Sequence, residues 1–285
     1  MHKNFLDYKN MSELSLGELI EQFKPHSREA PIENSGKQVT IPKIIFQTWK
    51  TKEIPEHWKP SVASIKKYMP SWQYVLMTDE NNRDFVKDYF PDFLSFYDAF
   101  PYNIQRCDSV RYLLLYSFGG LYMDLDIELM KPLDDLFTND SEVFLINSTN
   151  ITSVITNSFM ASKKGSKLWL DVLAAMKEPV SAWASMTKHT LVLSSTGPNL
   201  LNRVAKTSKT SYTIIPSLIT PGCNVCSIKP CGVEGDYIKV LEGSSWIGID
   251  SEIFLFCMCN GEGLIIFAIL FFILFIVYVA FIRYI

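Results

Sequence analysis

Residues 104–126 read IQRCDSVRYLLLYSFGGLYMDLD, and this stretch carries the strongest structural signal in the chain. Residues 104–118 form the clearest predicted helix of the chain. The glycine pair at 119–120 follows at the position where the end of a helix favours a left-handed residue. Residues 121–123 are then typical of a short buried strand. An aspartate–leucine–aspartate triplet at 124–126 comes directly after that strand.

Predicted strands and helices alternate on both sides of this stretch. Residues 43–49 and 72–77 are typical of buried strands with a helix between them, and 143–146 is a further strand. Such alternation indicates an α/β fold with a mixed, mostly parallel sheet. Ligands bind such sheets at the carboxyl ends of the strands, where Asp79 and Asp124 both stand.

Composition and charge exclude some classes of protein. Hydrophobic residues make up 48% of the 285 residues and aromatic residues 13%, which is enough for a core and argues against global disorder. The formal net charge is −3, so the chain lacks the strongly basic character that binding to a phosphate backbone requires. We therefore expect no nucleic-acid partner.

The sequence divides into three parts. Residues 1–40 form a polar N-terminal extension with one predicted helix, which begins with a capping box of Ser15 and Glu18. Residues 41–252 are predicted to form the folded domain. Residues 264–282, LIIFAILFFILFIVYVAFI, contain no charge, and a helix of this length would be ~28 Å long, about the thickness of a bilayer core. We interpret this run as one transmembrane helix, because a buried core helix seldom lacks a polar face.

The sequence leaves the orientation of the chain in the membrane open. The N-terminus has no apolar segment of the kind found in cleaved signal peptides, which would leave the body in the cytosol. Arg283 follows the apolar run, whereas Asp250, Glu252 and Glu262 precede it, and the positive-inside rule then favours a body in the lumen. If the source is a eukaryote, we expect a Golgi or other endomembrane location for this single-pass protein.

Asp124 and Asp126 lie one residue apart at the end of the predicted strand. Alternate side chains of a strand share a face, so both carboxylates would converge on one point. Two hard oxygen donors suit Mg²⁺ or Mn²⁺, which also bind substrate phosphates. The triplet alone is more often a solvated strand end. Phosphatases of the haloacid-dehalogenase type use a similar triplet, but Glu128 stands where that class requires threonine or valine.

Asp108 and Arg111 lie three residues apart on the predicted helix and therefore share one of its faces. Such a pair is commonly a surface ion pair. Here the glycine turn would place that face beside the two aspartates, where an arginine could hold a diphosphate. His189, by contrast, is isolated, and a packing or surface position is the favoured interpretation.

The segment 41–133 resembles the DXD sugar-binding region of glycosyltransferase family 32, which includes fungal initiating α-mannosyltransferases and inositol phosphoceramide mannosyltransferases. Later segments also look like those of the family, so the resemblance covers about 41–250. The matching residues are Ile41-Pro42-Lys43-Ile44-Ile45 with Gln47 and Trp49; Trp72 with Thr78-Asp79; Arg106, Asp108, Arg111 and Tyr112; Gly119-Gly120-Leu121-Tyr122 with Asp124 and Asp126; Asn157-Ser158-Phe159-Met160-Ala161; Thr196-Gly197-Pro198; and Gly243-Ser244-Ser245-Trp246.

The resemblance implies a GT-A-like nucleotide-sugar-binding fold in the catalytic domain 41–252, a divalent metal (Mn²⁺ or Mg²⁺) and a retaining transfer. It implies that Asp124 and Asp126 engage the metal, while Asp108 and Arg111 hold the donor sugar and its leaving phosphate. The membrane-bound relatives imply GDP-mannose as donor and a membrane-associated lipid or glycan acceptor, such as inositol phosphoceramide. The side chains expected to contact the donor are Trp49 near the base, Tyr122 in the sugar pocket, and Ser245 and Trp246 over the diphosphate.

Two positions depart from the family pattern. Phe46 stands where the family commonly has histidine, and 240–242 replaces another frequent histidine, which leaves Glu242 or Ser245 to contact the metal or the diphosphate. A membrane-anchored protein that keeps the fold but only binds sugar nucleotides or glycans is the alternative function. The four polar residues of the motif region favour an enzyme, because loss of turnover usually removes such residues; they are Asp108, Arg111, Asp124 and Asp126.

Overall fold

The structure is a computed structural model that describes residues 13–25, 41–137, 140–147, 154–215, 237–241, 245–246 and 248–260. In chain order, its helices and strands are α1 (Leu16–Phe23), β1 (Ile44–Trp49), α2 (Lys59–Tyr68), β2 (Gln73–Thr78), α3 (Asp79–Tyr89), α4 (Pro91–Asp98), α5 (Asn103–Phe118), β3 (Gly120–Met123), β4 (Ile127–Leu129), β5 (Val143–Asn147), β6 (Ile155–Ser162), α6 (Lys167–Met176), α7 (Lys188–Ser195), α8 (Pro198–Thr207), β7 (Tyr212–Ile214), β8 (Ile238–Val240) and α9 (Ile249–Cys259).

A six-stranded sheet in the order β2-β1-β3-β6-β5-β7 forms the centre of the molecule. Strand β1 pairs in parallel with β2 and with β3, and β5 pairs in parallel with β7. Strand β6 is antiparallel to both of its neighbours, β3 and β5. A separate two-stranded antiparallel ribbon joins β4 to β8. The prediction of an α/β fold with a mixed, mostly parallel sheet is therefore confirmed.

Both faces of the central sheet are covered. In β1, Ile44 and Phe46 point into the core shared with α3, α5, α6 and α8. Ile45, between them, points into the opposite core, which includes Ile65 of α2. This double burial explains the continuous apolar run in β1, because a strand covered on both faces has no polar face to alternate with.

The helix predicted in the N-terminal extension is present as α1, and its capping box is confirmed. The Ser15 backbone N–H donates to Glu18 at 2.8 Å, and the Glu18 N–H donates to the Ser15 hydroxyl at 3.3 Å. The helix packs on the domain: Leu19 is fully buried in the core, and the Leu14 N–H donates to the carbonyl of Tyr74 in β2. Part of the extension therefore contributes to the core of the domain that follows it.

The turn between α5 and β3 depends on two glycines, as the sequence predicts. Gly119 and Gly120 have φ values of 68° and 96°, which residues with a Cβ rarely adopt. A Cβ on Gly120 would also lie 2.5 Å from the carbonyl oxygen of Ile44 in β1. Because β3 packs this closely against β1, the strand that ends in Asp124 is held in a fixed position.

We expect Gly120→Ala to lower the free energy of unfolding by about 3 kcal/mol, because it combines left-handed strain with a clash against the backbone of β1. Urea denaturation of the full chain measures this loss. Gly17→Ala is the matched control, since nothing lies within 4 Å of a Cβ at that helical position. The control should gain ~0.5–1 kcal/mol from helix propensity. Equal stability of the two variants would contradict the packing described for Gly120.

The apolar run at 264–282 lies outside the described residues, and the proposed membrane span stays a prediction. Within the part of the chain that the structure describes, no helix is both long and apolar enough to cross a bilayer.

Candidate functional site

A cavity of about 330 Å³ lies at the carboxyl ends of β1, β2 and β3. Trp49 ends β1, Asp79 follows β2 and Asp124 follows β3, so three adjacent parallel strands deliver side chains to one place. This is the edge at which α/β sheets bind ligands. Helix α5 forms another wall, and residues of α7 and residues 245–246 also line the cavity.

Arg111 of α5 is the centre of the polar network in this cavity. The guanidinium is buried and pairs with Asp108 at 2.9 Å and with Asp124 at 3.3 Å. It also donates to the carbonyl of Asn157 at 2.7 Å and stacks on the ring of Tyr122 at 4.5 Å. Its Nε is fully buried and has no hydrogen-bond partner among the described residues.

Asp108 is held by donors on both of its oxygens. The amide of Asn157 donates to Oδ1 at 3.1 Å, and the hydroxyl of Thr196 donates to Oδ2 at 2.9 Å. Burial raises the pKa of this carboxyl, while the charge of Arg111 and the two hydrogen bonds lower it. The i,i+3 ion pair predicted from the sequence is therefore present, but it is buried rather than on the surface.

Asp124 is fixed through both its side chain and its backbone. The hydroxyl of Tyr122 donates to Oδ1 at 2.7 Å and also lies 3.1 Å from the hydroxyl of Thr48. The backbone N–H of Asp124 donates to the carbonyl of Ser158 on β6, and its carbonyl accepts a bond from the amide of Gln47 on β1. Both strands beside β3 thus hold the carboxylate in place.

Asp126 lines the same cavity, and burial next to the charge of Asp124 raises its pKa to about 7. Its backbone carbonyl accepts a hydrogen bond from Leu241, just after β8. The described residues contain no cluster of three or more histidine, cysteine or acidic side chains arranged to hold a metal. A two-carboxylate site fits Mn²⁺ or Mg²⁺, since these ions take their remaining ligands from water and substrate phosphates. A dication would also stabilise the ionised form of Asp126.

Aromatic residues flank the polar centre of the cavity. On one side, Trp49 packs edge-on against Trp58 with ring centroids 4.9 Å apart. On the other side, Trp246 stacks on His189 at 5.1 Å and an interplanar angle of 16°. The ammonium of Lys188 donates to the carbonyl of Trp246 at 2.8 Å. His189 is 7% exposed, and the favoured interpretation of it as a packing residue is confirmed.

The structure brings most of the predicted site residues to this cavity. Tyr122 is the exception: its side chain is 1% exposed and lies behind Arg111 and Asp124 rather than in the lining. We expected it in the sugar pocket, but β3 turns its ring into the core and leaves only its hydroxyl to orient Asp124. The predicted residues that do line the cavity are Trp49, Asp108, Arg111, Asp124, Asp126, Ser245 and Trp246.

Sequence reasoning missed several residues of the site. Asn157 and Thr196 occur in segments that resemble the family, but only the structure shows that both bind Asp108. Lys188 lines the cavity without any motif to mark it. Phe46 stands where the family commonly has histidine, and its ring packs in the core against Phe118. The other departure, 240–242, includes Glu242, which lies outside the described residues.

Comparison with known proteins supports one family. A family model described as "Glycosyltransferase sugar-binding region containing DXD motif" matches residues 55–144. Inositol phosphoceramide mannosyltransferase 3 of Schizosaccharomyces pombe is 34% identical over 257 residues, which cover 87% of this chain and 67% of that protein. Inositol phosphoceramide mannosyltransferase 1 of the same yeast is 32% identical over 242 residues, which cover 82% and 71%.

Two more distant similarities accompany these. The initiation-specific alpha-1,6-mannosyltransferase of Saccharomyces cerevisiae is 33% identical over 105 residues, which cover 34% of this chain and 22% of that protein. Among solved structures, the PaToxG glycosyltransferase aligns with a TM-score of 0.42 and 20% identity, over 65% of this chain and 72% of that one.

Proposed function

Because this chain belongs to the glycosyltransferase family whose sugar-binding region contains a DXD motif, we propose that it transfers mannose from GDP-mannose to a membrane-associated acceptor. The observation that carries the proposal is the convergence of Asp124, Asp126 and Arg111 on one cavity at the sheet edge. The two curated relatives described above are named for mannosyl transfer to inositol phosphoceramide. An inositol phosphoceramide headgroup is therefore the first acceptor to test, and a glycoprotein glycan is the second.

The divalent cation, Mn²⁺ or Mg²⁺, would be held by Asp124 and Asp126. When bound, it would neutralise charge that develops on the departing diphosphate. Tyr122 and Gln47 orient Asp124 through its side chain and its backbone, so the carboxylate is positioned before any ligand arrives. Such preorganisation favours the transition state, because little reorganisation remains to be done during the reaction.

Cationic side chains on two walls suit the diphosphate of the donor. Arg111 of α5 lines the cavity, and so does Lys188 of α7, whose ammonium binds the carbonyl of Trp246. Lys50 lines the cavity with its Nζ 5.5 Å from the centroid of the Trp49 ring, and the half-buried Trp49 would contact the nucleobase. Ser245 and Trp246 would cover the diphosphate from the C-terminal side. The arrangement supports a GT-A-like catalytic domain over residues 41–252.

In the proposed reaction, the bond from the anomeric carbon to the diphosphate oxygen breaks, and a bond to an acceptor hydroxyl oxygen forms. The hydroxyl proton leaves with the departing diphosphate or to solvent. Asp108 is unsuited to act as a covalent nucleophile, because Arg111 and Asn157 engage one of its oxygens and Thr196 the other. We therefore propose attack by the acceptor on the same face of the sugar, with retention of configuration.

The membrane attachment belongs to the same proposal. The apolar run at 264–282 would serve as a single transmembrane helix that keeps the domain next to lipid-borne acceptors. A Golgi or other endomembrane location would suit both candidate acceptors. The side of the membrane that the domain faces is a separate question, to which the sequence gives opposing signals.

A screen of nucleotide sugars against the detergent-solubilised full chain tests the function. We expect GDP-mannose with Mn²⁺ to raise the melting temperature, since a ligand at 100 times its Kd stabilises by about 2.7 kcal/mol. For a domain of this size that corresponds to a shift of roughly 5–10 °C. The same mixture should slowly release GDP and mannose by hydrolysis.

The matched controls are GDP-mannose with a chelator and UDP-glucose with Mn²⁺, and neither should shift the melting temperature. A rise in melting temperature with UDP-glucose but not with GDP-mannose would show that the proposed donor is wrong. Stabilisation by GDP-mannose without hydrolysis or transfer to any acceptor would instead support a binding protein that retains the fold.

A further inference from the structure

We propose that a patch of five exposed apolar side chains rests in the interfacial layer of a lipid bilayer and holds the mouth of the cavity beside it. The patch, here called the apolar face, consists of Trp183, Met186, Ile249, Ile253 and Phe256. Each of these side chains is 59–80% exposed, which is unusual for large hydrophobic residues. Contiguous exposed apolar surface commonly marks a site of protein or membrane contact.

Helix α9 supplies three members of the apolar face. Ile249, Ile253 and Phe256 are spaced i, i+4 and i+7, so they lie on one side of the helix. The opposite side is already used: Ser251 and Phe254 both contact His189. One side of the helix therefore packs on the domain, and the other side exposes three members of the apolar face.

We place Trp183 and Met186 beside this outward face because of their position in the chain. They precede α7, whose His189 donates from its backbone N–H to the Asp250 carboxylate at the start of α9. Only three positions separate Met186 from that contact. A tryptophan suits the boundary between acyl chains and headgroups, because its ring is apolar while its N–H can still find a polar partner.

The sequence after α9 identifies a bilayer as the occupant. The last described residue is Asn260, and the 19-residue uncharged run begins at Leu264. Four Cα-to-Cα steps reach at most ~14 Å, so the end of α9 must stay within that distance of the predicted span. The polar layer on each side of a bilayer core is itself several ångströms thick. The C-terminal end of α9 therefore lies at or very near the membrane surface.

Orientation then follows from hydrophobic burial. If α9 pointed away from the bilayer, its N-terminal end would lie ~16 Å further from the membrane surface than its C-terminal end. Its apolar side chains would then remain in water. If it lies along the surface, the same three side chains enter the boundary between headgroups and acyl chains. Burial of apolar area favours the second arrangement.

The apolar face is coupled to the cavity by direct contacts. His189 packs against Phe254 of α9 on one side and stacks on Trp246, in the cavity lining, on the other. The rim at Trp246 is thus fixed relative to α9. A headgroup in the same leaflet would reach the cavity without leaving the membrane, and this consequence, like the choice of a bilayer as the occupant, rests on the proposed function.

Quenching by brominated lipid tests the contact without donor or turnover. The full chain is reconstituted in phosphatidylcholine vesicles with or without brominated acyl chains, and the emission of its six tryptophans is measured. We expect brominated lipid to reduce the emission of the wild-type protein, and most of that loss to disappear in Trp183→Phe. Trp72→Phe is the matched control, because Trp72 is buried, and it should keep the wild-type loss.

Two variants in the Trp183→Phe background check the geometry. Adding Phe256→Trp should restore quenching, whereas adding Lys87→Trp, at an exposed position in α3, should not. Equal quenching of the wild type and Trp183→Phe would overturn the proposal. A Trp183 emission that is blue-shifted yet unaffected by brominated lipid would overturn it too, because protein, such as a second copy of the chain, would then cover the face.

Discussion

Asp126→Asn is expected to lower the Mn²⁺-dependent hydrolysis of GDP-mannose by about 10³-fold while the protein stays folded. A bound metal contributes several kcal/mol to the stabilisation of charge in the transition state, and 4 kcal/mol corresponds to roughly that factor in rate. Asparagine keeps the shape of the side chain but removes the charge that would hold the cation. The comparison requires initial rates at saturating Mn²⁺ for both proteins.

Stability of the metal-free protein provides an independent check on this variant. Burial beside Asp124 raises the folded-state pKa of Asp126 to about 7, above its unfolded value. The folded state therefore binds the proton more tightly, and this carboxyl costs stability as the pH rises towards 7 and above. At pH 8, metal-free Asp126→Asn should be at least as stable as the wild type. Loss of activity together with loss of stability would point to misfolding instead.

Glu128→Gln is the matched control for the same chemical change two residues further along. Glu128 lies in β4, where its carboxylate faces Lys239 at 3.8 Å, and it does not line the cavity. The control should keep near-wild-type hydrolysis. If Asp126→Asn also kept it, the assignment of the metal site to this carboxylate would be wrong.

Arg111→Met is expected to destabilise the protein by about 3–5 kcal/mol and to abolish donor turnover. It leaves the buried Asp108 carboxylate and the nearby Asp124 carboxylate without their shared counter-charge, and an uncompensated buried charge has a cost of this size. Urea denaturation measures the stability, and donor hydrolysis measures the activity.

A double-mutant cycle separates the two effects of this substitution. Asp108→Asn combined with Arg111→Met removes both charges of the buried pair, so the double variant should lose at least ~1 kcal/mol less than the two single losses added together. Activity should not return. Arg203→Met is the surface control, since its pair with Glu178 is more than half exposed and should contribute at most ~1 kcal/mol. Strictly additive losses of stability would contradict an energetic coupling between Asp108 and Arg111.

The local features of the fold could be predicted because their signals are local. The helix over 104–118 was predicted from its own segment, and its end is marked by Gly119 and Gly120, whose positive φ values favour glycine. The i,i+3 spacing of Asp108 and Arg111 likewise fixes their common face before any tertiary contact forms. Such inferences need only a few neighbouring residues.

The rest of the site depends on contacts between distant parts of the chain. Thr196 reaches Asp108 across 88 positions, and Asn157 reaches it across 49. No periodic pattern encodes these pairings. They follow from the antiparallel placement of β6 beside β3, which was not predicted, and from the packing of α7 and α8. The inward ring of Tyr122 was missed for the same reason, since its direction is set by the core behind β3.

The three carboxylates gathered around the single guanidinium of Arg111 have a consequence for the order in which ligands bind. Three carboxylates beside one guanidinium give this part of the cavity a net negative charge, which opposes the binding of a diphosphate and offsets the attraction of Lys50 and Lys188 elsewhere in the lining. A bound dication would neutralise this charge, so we expect the proposed cation and donor to bind with positive cooperativity. Linkage requires that cooperativity to be reciprocal, so the donor would raise the affinity of the site for its cation by the same factor by which the cation raises the affinity for the donor.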